Sequence, residues 1–135
     1  MKKIFLPLLA LFMLVSCNND DDATSADVMT FSLLRDYYAP EQGASNFYTP
    51  NQILWTFDFT NMTITIETQQ GIDSPVLPAG SYSYTLVDGQ CDYGDNLTVQ
   101  IDTRQYGALI LDELSSGKIS LSQECYDGNL LFFEN

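Results

Sequence analysis

Enzymes need groups that move protons, attack electrophiles or hold metals, and this chain of 135 residues contains no histidine. The side chain most often used as a general base near neutral pH is therefore missing. There is no Gly-x-Ser-x-Gly turn, no phosphate-binding glycine loop, no His/Cys metal cluster and no cofactor motif. Carboxylates are the remaining option, because a positioned pair can hydrolyse a glycosidic bond. Asp112 and Glu113 are neighbours, so on a strand they point to opposite faces. A carboxylate-dependent enzyme would have to assemble its pair from distant strands. The stretch Asp88-Gly-Gln-Cys-Asp-Tyr-Gly-Asp-Asn96 offers oxygen ligands of the kind calcium takes. Its spacing is not that of an EF-hand, and its glycines serve equally as turn residues. These residues predict a protein that is not an enzyme and has no metal site.

Aromatic side chains are better placed to do something. Trp55, Phe57, Tyr82 and Tyr84 recur at alternate positions and are predicted to share one face. A second group, Tyr37, Tyr38, Phe47 and Tyr48, lies in a long insert from Asp36 to Gln52 beside Pro40, Gly43 and Pro50. Long loops in compact domains are often functional. Tyrosines on such a loop can stack on sugars or cover an apolar ligand. The plainer alternative is a loop packed down by its own aromatics.

Strands position these residues. Met29, Phe31 and Leu33 alternate with polar neighbours, as do Ile53 to Phe59, Met62 to Ile66, Tyr82 to Leu86, Leu97 to Ile101 and Ile119 to Ser122. Thr60-Asn61 predicts a hairpin in which Phe59 meets Met62, Phe57 meets Ile64 and Trp55 meets Ile66. A slip of one residue would send the two apolar sets to opposite faces. Gly107 to Leu111 and Leu130 to Phe133 are apolar on both faces. A short helix competes only over Leu109 to Leu114. Eight antiparallel strands can close into a barrel that hides its edges, provided that Asn129–Phe133 pairs with Met29–Leu33. A two-sheet sandwich buries one face per strand equally well.

The chain carries 18 acidic and 5 basic residues, a net charge of −13. Nucleic acid is excluded as a partner, because phosphate binding needs clustered Lys and Arg. The N-terminus has its own pattern. Lys2 and Lys3 precede an uncharged apolar run, Ile4 to Val15. Twelve helical residues reach roughly 18 Å, short of the ~30 Å hydrocarbon core of a bilayer. A cleaved signal is therefore expected rather than a membrane span.

Leu14-Val15-Ser16-Cys17 resembles the bacterial lipobox. The resemblance implies that residues 1–16 are removed and that Cys17 becomes an acylated N-terminus holding the protein to a membrane. Two or three acyl chains anchor durably where one does not. Residues 17–27, with Asp20, Asp21 and Asp22, then form an acidic flexible tether of roughly 17 Å reach. An acidic run at that place is similar to the signal that sends some Gram-negative lipoproteins to the outer face of the outer membrane; a periplasm-facing anchor is the alternative. Only Arg35, Arg104 and Lys118 would remain against 18 acids, a charge of about −15. With Cys17 acylated, Cys91 and Cys125 have one possible pairing in an oxidising compartment. That disulfide would add roughly 3–4 kcal/mol on the chain-entropy model.

Residues 28–135 form the expected single domain. The order Trp55–Ile66 hairpin, Gly80-Ser-Tyr-Ser-Tyr84, Ile110-Leu-Asp-Glu-Leu114, Lys118-Ile-Ser-Leu-Ser122 and Asp127–Glu134 resembles the lipocalin-like domains of small bacterial lipoproteins. The Gly-x-Trp signature of lipocalin relatives is absent from Val28–Leu34. The resemblance implies an up-and-down barrel and transfers no ligand. The expected function is a lipid-anchored, non-catalytic module binding a small apolar or amphipathic ligand at the barrel mouth, lined by Trp55, Phe57, Tyr82 and Tyr84. The alternative is a protein without a cavity that contacts proteins or glycans on the cell envelope through the Tyr37–Tyr48 segment. Nothing in the sequence fixes the oligomeric state.

Overall fold

The computed structural model describes residues 27–38, 43–89, 95–123 and 127–135. They form β1 (Val28–Tyr38), β2 (Ala44–Phe47), β3 (Ile53–Asp58), β4 (Thr63–Thr68), β5 (Gly80–Ser83), β6 (Thr85–Val87), β7 (Thr98–Ile101), β8 (Arg104–Ile110), β9 (Lys118–Ser122) and β10 (Asn129–Glu134). A 3-10 turn, Leu114–Ser116, lies between β8 and β9 and ends on Gly117 in the left-handed conformation. The strands run β5-β4-β3-β1-β10-β9-β8-β7-β6 around one antiparallel sheet, with β2 also bonded to β1.

Four of these strands are the halves of two interrupted ones. β2 and β3 both pair with β1, through Arg35↔Phe47 to Tyr38↔Ala44 and through Val28↔Asp58 to Ser32↔Leu54. β5 and β6 are separated only by Tyr84, yet β5 bonds to β4 and β6 to β7. The two ends of the sheet are thus consecutive pieces of one strand, and the sheet curls round on itself. Counted this way the protein is an all-β, eight-stranded up-and-down barrel, and the two-sheet sandwich does not apply. The closing pair is β1 with β10, but it runs from Ser32↔Glu134 to Tyr38↔Asn129, further along β1 than the sequence predicts.

The shift has a local cause. Leu34 is an extra residue in a bulge between Leu33 and Arg35. A bulge reverses the inward and outward alternation beyond it. Leu33 points in, Arg35 points out, and Asp36 is buried, accepting a hydrogen bond of 2.6 Å from Asn129 Nδ2. The segment from Asp36 therefore continues β1 rather than opening a loop, and part of the insert returns as β2. A charged residue at an inward position hid this continuation from the hydrophobic pattern.

The β3–β4 hairpin has the predicted register, Trp55↔Ile66 and Phe57↔Ile64. Its turn is held by Asp58, whose carboxylate accepts hydrogen bonds from the Asn61 side chain and from the backbone N–H of Asn61 and Thr60. The Asn61 side chain first, then that backbone, hold the Asp58 carboxyl below the usual carboxylate range.

Candidate functional site

The barrel interior is filled by its own side chains. Phe31, Leu33, Trp55, Phe57, Ile64, Leu121, Leu131 and Phe133 belong to one buried cluster. Within it Trp55 packs against Phe133 with ring centroids 5.2 Å apart, and Phe57 meets Phe31 edge to face at 6.2 Å. Leu77 is buried there too, with Ile72 and Val76 packed alongside. The β4–β5 connection therefore contributes side chains to the core.

This packing decides what the predicted mouth residues can do. Trp55, Phe57 and Tyr84 are buried, and Tyr82 is half-buried with its hydroxyl donating to the Pro78 carbonyl at 2.9 Å. Two polar atoms in this region lack partners among the described residues, Trp55 Nε1 and Tyr84 Oη. An unmet buried hydroxyl costs about 1–3 kcal/mol. Burial, and secondly the Asp58 charge, push the Tyr84 phenol above its ordinary range. Tyr48 is raised for the same first reason, with Asp36 as the nearby charge. A raised folded-state pKa means that stability is intact below about pH 10 and falls as pH rises from there through the folded value. Tyr84→Phe should therefore stabilise the protein by about 1 kcal/mol at pH 8 and weaken its alkaline decline, with Tyr48 retaining part of it. Urea melts at pH 8 and pH 11 measure both effects.

The second aromatic group is divided between two sides of the sheet. Tyr48 packs against the core. Tyr38 pairs with Asn129 and Ala44 at the end of β1. Tyr37 and Phe47 lie around Arg35, whose guanidinium carbon stands 5.4 Å from the Tyr37 ring centre, 5.5 Å from that of Phe47 and 5.3 Å from that of Phe132. Arg35 also donates from Nε and Nη2 to Ser45 Oγ, at 3.3 and 3.1 Å. One cation thus staples β2 to β1 and holds three rings on the outside of the barrel. Such contacts each contribute about 0.5–1 kcal/mol at exposed sites. Phe47 remains 75% exposed and Phe132 36%.

A groove of about 400 Å³ opens beside this cluster on the outer face. Its apolar side is formed by Leu34, Ile110 and Phe132 together with the core residues Ile119 and Phe133, with Ser120 between them, and its charged side by Asp112, Glu113, Lys118 and Glu134. Cross-strand pairing puts Ile110, Ser120, Phe132, Arg35 and Phe47 in one row across five strand segments. At about 4.8 Å per strand this row is roughly 19 Å long. A second row sets Lys118 beside Glu134. Asp112 and Glu113 lie beyond the end of β8, so they do not take opposite strand faces. Both are exposed and both line the groove.

Sequence reasoning missed Arg35, Ile110, Ser120 and Phe132 as members of a surface feature. A signal was present, since Gly107–Leu111 and Leu130–Phe133 are the two segments that read as apolar on both faces. Their second apolar face supplies Ile110 and Phe132 to the groove. The anchor residue Cys17, the pair Cys91 and Cys125, and most of the acidic loop between Asp88 and Asn96 lie outside the described residues. Among the described residues no three His, Cys, Asp or Glu side chains are grouped to hold a metal, and no helix is long and apolar enough to cross a membrane. No family model, no curated protein and no solved structure matches this chain.

Proposed function

We propose that this chain is a non-catalytic, lipid-anchored contact protein of the bacterial outer membrane, working through the outer face of a solid barrel. The observation that carries this reading is the exchange of roles between the two aromatic groups. Trp55, Phe57 and Tyr84 are consumed by the core, while Phe47 and Phe132 stand exposed around Arg35 beside a groove. Exposed apolar surface that joins a groove is what interaction sites have and what isolated surface residues lack. An up-and-down strand order is what the resemblance to lipocalin-like lipoprotein domains implies, and the acidic run behind Cys17 in the sequence supports display at the cell surface.

Native mass spectrometry of protein purified from its own host tests the solid barrel. The mass expected is that of the processed polypeptide and its acyl chains. A co-purifying small molecule held by the folded barrel would overturn it. Cys17→Ser should release the protein from membrane pellets, and a variant that still sediments would exclude acylation as the anchor.

A second reading keeps a small apolar or amphipathic ligand inside the barrel. Trp55 Nε1 and Tyr84 Oη favour it, because a ligand with a polar atom could satisfy either. The same mass measurement separates the two.

A further inference from the structure

We propose that the outer groove is a docking site for a basic polypeptide segment that carries apolar side chains. This rests on the surface-contact reading above and names the chemistry of the partner. The groove presents two parallel rows with different demands. One row begins in the groove with Ile110, Ser120 and Phe132 and continues beyond its lining through the Arg35 cation to Phe47, an apolar and aromatic strip across β8, β9, β10, β1 and β2. The adjoining wall carries Asp112, Glu113 and Glu134 against one cation, Lys118. None of these four side chains makes a hydrogen bond or ion pair among the described residues, although Lys118 and Glu134 are cross-strand neighbours. The wall therefore sets three carboxylates against one ammonium next to apolar surface.

Charge complementarity selects the occupant. A chain of net charge −13 repels anionic surfaces and polyanions, and it attracts cations over a Debye length of about 8 Å at physiological salt. A partner bearing Lys or Arg beside Leu, Ile or Phe meets both rows at once. A neutral oligosaccharide would gain nothing from the unpaired charge, and the Phe132 ring it would stack on already faces Arg35. A row of roughly 19 Å matches about six residues of extended chain.

The probes are a ten-residue peptide of alternating Lys and Leu, its Glu-for-Lys counterpart and cellohexaose. Each is titrated into the whole processed protein while backbone amide shifts are followed by NMR. The basic peptide should shift Leu34, Ile110, Lys118, Ser120 and Phe132 together, and the acidic peptide should not. Raising salt to 0.5 M should weaken the response at least tenfold. The double substitution Asp112→Lys with Glu113→Lys should weaken it at least tenfold as well; both residues are exposed, so circular dichroism should be unchanged. Phe132→Ala should weaken it at least fivefold at constant charge. Shifts scattered over the acidic surface, shifts at the groove from cellohexaose but not from the basic peptide, or no response to any probe would each overturn the proposal. A silent titration of protein that carries no small molecule in native mass spectrometry removes the basic segment and leaves the surface-contact reading standing. A bound small molecule inside the barrel removes that reading instead.

Discussion

Trp55→Ala should cost the protein about 3–5 kcal/mol, the range for truncating a large buried aromatic. Trp55 is fully buried on β3, between the Ile66 partner on β4 and the Phe31 partner on β1. Its ring touches both Phe57, at 6.1 Å, and Phe133, at 5.2 Å. Phe133 belongs to β10, so the indole joins strands on both sides of the β1–β10 closure. Truncation would open a void shared by several strands, and a barrel cannot collapse one wall without moving its neighbours. Domains of this size have about 5–15 kcal/mol of stability in all, so the variant should lie close to unfolding. Trp55→Phe is the informative control. It keeps much of the apolar volume, removes the unpaired Nε1 and should cost markedly less than the alanine variant. Trp55 is the one tryptophan of the chain, so urea melts must be followed by far-ultraviolet circular dichroism rather than by indole fluorescence. A midpoint unchanged in Trp55→Ala would mean that the barrel interior is not packed as described.

How much of this was legible beforehand depended on whether local alternation survived. It survived in the β3–β4 hairpin, where Trp55, Phe57, Ile64 and Ile66 set the register unaided. It failed at Leu34, because one additional residue reverses the facing of everything after it, and an inward Asp36 then looks like the start of a loop. It failed differently at Tyr84. The stretch from Tyr82 to Leu86 reads as one strand, and in the chain it is one, but it changes partner from β4 to β7 at Tyr84. No pattern of apolar residues encodes a change of partner. The outer groove was only half legible. Two doubly apolar segments announced that something lay on the second face of β8 and β10, but their adjacency comes from the pairing Ile110↔Ser120↔Phe132, which is set by tertiary structure.

The packed interior and the outer groove are connected through this geometry. In a barrel whose inward positions are taken by Trp55, Phe57 and Phe133, the surface open to a partner is the outer one. The bulge at Leu34 turns Arg35 outward, and Arg35 collects Tyr37, Phe47 and Phe132 around itself. The feature that confused the sequence pattern is thus the one that builds the surface site.

Gly107→Ala should be strongly damaging although it lies outside the aromatic core. Gly107 sits on β8 with φ +125, a conformation that side chains rarely adopt. It also lies at an irregularity, since Val99 pairs with Gly107 but Gln100 pairs with Gln105, leaving Tyr106 unmatched. The Gln123 side chain caps this irregularity by donating from Nε2 to the Tyr106 carbonyl. A Cβ added at Gly107 would stand 2.6 Å from the Ser122 backbone oxygen on β9 and 2.9 Å from Gln123 Cγ. Gln123 Cγ could yield, but the Ser122 oxygen belongs to the paired backbone of the sheet and cannot retreat without parting β8 from β9. Two penalties therefore add. An unsuitable φ costs about 1–2 kcal/mol for a residue with a Cβ, and the displaced strand contact costs at least as much again, for a total of about 3 kcal/mol. Substitution of a glycine that lacks the second constraint gives the reference. Gly71 also has a positive φ, +81, but a Cβ added there would meet nothing within 4 Å. Gly71→Ala should therefore lose only the conformational share, about 1–2 kcal/mol. Thermal melts of the two variants against the parent read the difference directly. Equal losses would mean that β8 and β9 are not as closely apposed as the Gly107–Ser122 contact requires.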